Sequence, residues 1–257
     1  MGHERLGLLP KTQKWRKIVA KIESSSGDIG AIPDLVSTTA SAIESQFRNL
    51  GLDPAVHQSF AFLVALATAA KTEDPHLALM KMGFNLDGDA TPLNIARLLH
   101  EQIQAQGSPE YAQLARAAAI EAAADYFDQQ SRQGELFPGG TAFDVWRGAS
   151  DGAGFCELAR QFFANLTKGH LEYFLEREAS AALPTLGARE EFKRNLNQYI
   201  EDISRHSFET AKITQSFAAG WYNKHAGEGL PSNQRIKSFL RIAFNKIRDS
   251  LGSEGVA

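Results

Sequence analysis

The sequence predicts an all-α fold, an irregular bundle of about eight to ten helices, and three observations carry that expectation. Apolar residues recur at a spacing near 3.6 in almost every periodic segment, which places them on one face of a helix. A capping side chain followed by proline, the signature of a helix start, appears at Asp53-Pro54, Thr91-Pro92 and Ser108-Pro109. Alternation of the strand type is confined to a few residues, 143–147.

Taken in order, residues 11–23 place Trp15, Ile18, Val19 and Ile22 on one face and Lys14, Lys17 and Lys21 on the other. SSSGDIGAI at 24–32 is a turn-rich linker. Residues 33–49 follow as one helix with proline in its first turn, and residues 54–71 as the next. Its run FAFLVALATAA at 60–70 falls well short of the roughly 20 apolar residues a bilayer needs, so it is expected to be a buried core helix. Residues 74–82 make a short helix ahead of a Gly-Asp loop. Thr91-Pro92 opens another, and Ser108-Pro109-Glu110 launches an alanine-rich helix over 111–130.

Residues 131–152 are the longest break and rich in glycine, so they are expected to be a connecting loop. It would join an N-terminal lobe, 1–130, to a C-terminal lobe, 153–257, unless the two are one continuous domain. Residues 155–182 form a helix that Gly169 could bend. Residues 188–208 form another, with an extension toward Trp221, and 232–251 close the chain after Gly227, Gly229 and Pro231.

At 257 residues and 43% apolar content, the chain can bury a core without covalent staples. Cys156 is the single cysteine, which excludes an intrachain disulfide and a cysteine metal cage and fits a cytoplasmic setting. Residues 1–10 carry no secretory pattern, and Leu6 stands where a myristoylation motif wants serine or threonine. The net charge of −3 is unevenly placed: residues 1–23 carry +4, residues 231–257 carry +3, and the middle carries −10. Basic ends either fold back on an acidic body or meet an anionic partner.

Each catalytic motif fails on context or spacing. Gly148, Ser150 and Gly152 spell G-x-S-x-G, but a nucleophile elbow needs a strand to deliver the serine and a sheet to orient its partners. The sequence offers no such sheet, so Ser150 is read as a loop residue near a helix cap. Cys156 and His170 lie 14 residues apart, about 21 Å along an unbroken helix, too far for a thiolate pair. Counted from Asn85 as a calcium loop, Ala90 and Ala96 occupy the positions that want glycine and glutamate. The seven histidines include no pair four apart, and none follows an arginine at the spacing of helical ribonucleases. No phosphate-cradling glycine loop is present, and no cofactor is expected.

The strongest signal is the last helix. Ile236, Phe239, Leu240, Ala243, Phe244, Ile247 and Leu251 make a broad apolar stripe, with Lys237, Arg241 and Arg248 along one margin and Arg235 and Lys246 along the other. Phe217, Trp221, Tyr222 and His225 make a second stripe that could pack or anchor a partner. These features predict a non-enzymatic interaction protein, a subunit of a larger cytoplasmic assembly with a protein partner or a second copy of itself. Lys14, Lys17, Lys21, Lys237, Arg241 and Arg248 are its candidate partner- or anion-binding residues. The alternatives are a helical enzyme acting on nucleic acid, with His170 or His206 as acid–base group near 131–152, and a module binding nucleic acid or an anionic surface through its basic ends. No transmembrane segment and no metal site are expected.

Overall fold

The computed structural model describes residues 13–25, 32–42, 44–104, 108–134, 141–183, 185–209, 212–226 and 229–253. Among them are twelve α-helices and no strand. They are α1 (Gln13–Ser25), α2 (Ile32–Ala42), α3 (Glu44–Leu52), α4 (Pro54–Ala69), α5 (Pro75–Lys81) and α6 (Pro92–Gln102). There follow α7 (Pro109–Gly134), α8 (Ala142–Trp146), α9 (Gly152–Ala182), α10 (Leu186–Glu209), α11 (Lys212–His225) and α12 (Asn233–Ser253). The all-α expectation holds. Helices outnumber the upper estimate because the segment expected as one helix over 33–49 contains α2 and α3, α8 lies inside the expected loop, and the expected extension of 188–208 toward Trp221 is a separate helix, α11.

The caps behave as their sequences dictate. Asp53 accepts a hydrogen bond from the Ala55 N–H at 2.8 Å, and Thr91 from the Asn94 N–H at 3.4 Å. Each satisfies one of the backbone donors that a helix start leaves without a partner. Asp53 also reaches the Ser108 N–H at 3.4 Å, so one buried carboxylate ties the start of α4 to the turn before α7.

Around α4 the other helices assemble. Every residue from Ser59 to Ala70 is buried, as the apolar run requires. The ring of Phe60 lies within 5.2–6.0 Å of those of Phe155, Phe162, Phe163 and Phe239, which brings α4, α9 and α12 into one aromatic cluster. Buried residues from Ile18 in α1 to Ile247 in α12 form a single contiguous core. No helix among the described residues is long and apolar enough to cross a membrane.

The glycine-rich stretch differs from expectation. α7 continues to Gly134, and residues 142–150 are α8 followed by a 3-10 turn, Arg147–Ser150; residues 135–140 lie outside the described residues. The apparent strand alternation is the i, i+3 spacing of one helical turn. Phe143 and Trp146 are both buried, and the Trp146 indole N–H donates to the Ala90 carbonyl at 2.8 Å while its ring stacks on Tyr126 at 5.6 Å. The Asp144 carboxylate accepts from the Thr141 N–H at 2.7 Å and so closes the start of this short helix. α9 runs through Gly169 without a break.

Candidate functional site

α12 is amphipathic, and its burial follows its stripe: Ile236, Phe239, Leu240, Ala243, Phe244 and Ile247 are buried, while Lys237 and Arg241 are exposed and Arg248 is half-buried. The helix packs against α2, α3, α4 and α10. A groove opens on each of its flanks.

The first groove, about 290 Å³, lies between α3 and α12. α3 contributes Phe47, Arg48, Gly51 and Leu52, which repeat at helical spacing, and α12 contributes Arg241, Phe244, Asn245 and Arg248 at i, i+3, i+4 and i+7. Phe47 and Phe244 meet edge to face at 5.4 Å and make its floor. Gly51 permits that approach, because a Cβ there would stand 2.9 Å from the Phe244 ring. Arg48, Arg241 and Arg248 form a basic rim, and Leu52, 61% exposed, forms an apolar lip. Arg248 also bonds Asp249 of its own helix at 2.8 Å. Among the described residues no carboxylate pairs with Arg241 or Lys237.

The second groove, about 690 Å³, lies between α11 and α12. Phe217, Trp221 and His225 line it from α11 at i, i+4 and i+8, and Arg235, Phe239 and Ile242 from α12. Phe217 stacks on Phe239 at 5.2 Å, and Trp221 lies 4.6 Å from the same ring. Burial, then the positive charges of Arg235 and Lys224, hold the His225 imidazole below its ordinary pKa. Both grooves therefore pair aromatic surface with fixed positive charge.

Of the basic residues singled out in the sequence, Arg241 and Arg248 meet in the first groove. Lys237 is exposed on the same helix, and its charge together with burial lowers the pKa of His57, burial being the larger cause. Lys17 is exposed on α1, and Lys21 is ion-paired with Asp34 of α2. The side chains of Lys14 and His206 lie outside the described residues. Arg48, Leu52 and Gly51 escaped sequence reading because only the packing of α3 on α12 gives them a shared role.

The other candidates resolve into packing. Gly148 and Gly152 are close-approach glycines: a Cβ on Gly148 would stand 2.9 Å from the Tyr126 hydroxyl, and one on Gly152 2.7 Å from Asn223. Ser150 Oγ donates to the Arg147 carbonyl at 2.7 Å inside the 3-10 turn. Burial pushes the Cys156 thiol up to about 11, the nearby Glu157 adds to this, and the unbroken α9 separates it from His170. His170 is itself fully buried, with Phe47, Tyr111 and Phe174 around its ring. Asp87 and Asp89 belong to a turn whose Gly88 has a φ of 77°, and Asp89 accepts from the Ala142 N–H at 2.9 Å. Among the described residues no three His, Cys, Asp or Glu side chains group as metal ligands would.

No family model matches this chain, and neither the curated proteins nor the solved structures include a match.

Proposed function

We propose that this chain is a non-enzymatic interaction protein, a subunit of a larger cytoplasmic assembly, which receives an acidic and partly apolar segment of a partner protein along α12. The observation that carries this reading is the pair of grooves flanking one helix, each with aromatic residues and arginine in its lining. Aromatic residues and arginine are the side chains enriched at protein interfaces and their hot spots. Leu52 and Ile242 stand exposed at the two grooves, where a partner would remove them from water. Charge complementarity names the partner's chemistry: arginine forks bind carboxylates in bidentate fashion. The floors are apolar, whereas nucleic-acid interfaces are more polar and more extensively basic.

A photo-crosslinking amino acid placed at Leu52 or Ile242 in the native host tests this. The expected result is a specific adduct with a protein carrying an acidic segment, absent when the crosslinker stands at exposed Glu101 of α6. The Lys237→Glu, Arg241→Glu double variant should lose the adduct and keep its melting temperature. Capture no greater than at Glu101, or capture that survives the charge swap, overturns the reading. An adduct between two copies of this chain would make it a homo-oligomer interface. Retardation of DNA or RNA by the wild type at low salt, lost in the double variant, would favour the nucleic-acid alternative.

A further inference from the structure

A second kind of cleft, about 340 Å³, lies between α7, α9 and α10, and no residue of α12 lines it. α7 and α9 run antiparallel: the Gln161 amide N–H donates to Gln129 Oε1 at 3.2 Å, and Gly169 lies against Leu114. That register sets Asp125 level with Asn165 and Glu121 near Lys168. Ala164 is the lone apolar residue in the lining, so a ligand here gains little from apolar contact and must be held by charge and hydrogen bonds.

The charges are segregated. The α7 wall carries the carboxylates Glu121 and Asp125, and the α9 wall carries the cations Arg160 and Lys168. Arg160 is anchored by Glu157, whose Oε2 accepts from its Nε at 2.9 Å. Gln161 supplies the independent sign of a built site. It is 6% exposed, its N–H groups are engaged by Gln129 and Glu157, and its Oε1 is buried with no partner. Asn165 and Asn197 line the same cleft, and Asn165 Nδ2 and Asn197 Oδ1 are likewise buried without partners. Native proteins rarely leave such groups unpaired.

We propose that this cleft binds a small zwitterion carrying a primary ammonium and a carboxylate, the chemistry of a free amino acid. The ammonium donates to the Glu121 and Asp125 carboxylates and to the orphan oxygens of Gln161 and Asn197. The carboxylate accepts from Lys168 and from the Asn165 amide. A ligand carrying both signs meets Glu121 on one wall and Lys168 on the other, which a ligand of one sign cannot do. The volume is of the size that small-molecule sites have.

The test is a thermal-shift and NMR titration of the full chain with each proteinogenic amino acid at millimolar concentration. Glycine betaine, acetate and methylammonium serve as controls. At least one amino acid is expected to raise the melting temperature and give saturable shifts. Betaine, which has both charges and no N–H, should not, and neither should the two single-charge ions. Glu121→Gln and Lys168→Met should melt like the wild type without ligand and weaken binding by at least about tenfold. The proposal is overturned if no amino acid saturates, if acetate or methylammonium binds equally well, or if binding survives both substitutions. Neither outcome depends on partner capture at α12, so the two sites stand or fall separately.

Discussion

Neither ring nitrogen of His170 has a hydrogen-bond partner, and burial pushes its pKa down to about 3. The unfolded chain therefore binds a proton near pH 6.5 that the folded chain refuses. Stability from this group is complete above the unfolded value and is lost as pH falls from about 6.5 toward 3. At about pH 5 the loss is on the order of 2 kcal/mol. His170→Leu should flatten most of that slope. It should also raise stability at neutral pH by about 1–3 kcal/mol, because an unpaired polar ring leaves the core. Urea unfolding of both proteins near neutral pH and near pH 5 checks this, and an unchanged slope in the variant would assign the effect elsewhere. His57 and His225 are shifted in the same direction and leave a residual slope. Ser150 gives the complementary case. Its hydroxyl serves a local turn, so Ser150→Ala should change stability by no more than about 0.5 kcal/mol. Gly154→Ala drives a Cβ into the Gly148 carbonyl and should cost more than about 2 kcal/mol. Covalent labelling of Ser150 by a fluorophosphonate would overturn its reading as a turn residue.

At the scale of elements, α12 separates its two faces. Lys237→Glu with Arg241→Glu acts on exposed side chains and should move stability by less than about 1 kcal/mol. Phe239→Ala empties a ring position shared with Phe60, Phe217 and Trp221 and should cost about 3–5 kcal/mol. Thermal melts of the two variants side by side decide the contrast. α12 is legible from its apolar stripe, and α4, α6 and α7 from proline-marked start signals written locally in their sequences. α8 was not, because five residues are too few to show a period and its anchor, the Ala90 carbonyl, is distant in the chain. The same distinction holds at the sites. Arg241 and Arg248 can be read from one helical wheel, but Arg48 joins them only through the packing of α3. Glu121, Asp125 and Gln129 make a polar i, i+4, i+8 stripe on an alanine-rich helix. Their meaning needed Gln161, Asn165 and Asn197 from two other helices.

Over the whole molecule, the helices before and after the glycine-rich stretch complete one another. α4 is apolar around most of its circumference, which suits a helix enclosed on all sides and not one at the surface of a lobe. Its neighbours come from both halves of the chain: α7 from the first, and α9 and α12 from the second. The Thr68 and Tyr222 hydroxyls meet at 3.3 Å across α4 and α11, a buried polar contact that also joins the halves. A fragment covering residues 1–130 would expose the face of α4 that holds Phe60. A fragment covering 153–257 would expose Phe155, Phe163 and Phe239, the rings that cover it. Each uncovered ring forfeits about 1.5–3 kcal/mol of burial, several together exceed the margin by which domains are stable, and neither half should fold alone. Expressed separately, both should bind a hydrophobic dye and lack a cooperative melt. Co-expressed, they should purify together and regain near-ultraviolet circular dichroism. A sharp thermal transition in fragment 1–130 by itself would show instead that the first lobe carries its own core and that the contacts across α4 are an interface between two independent domains.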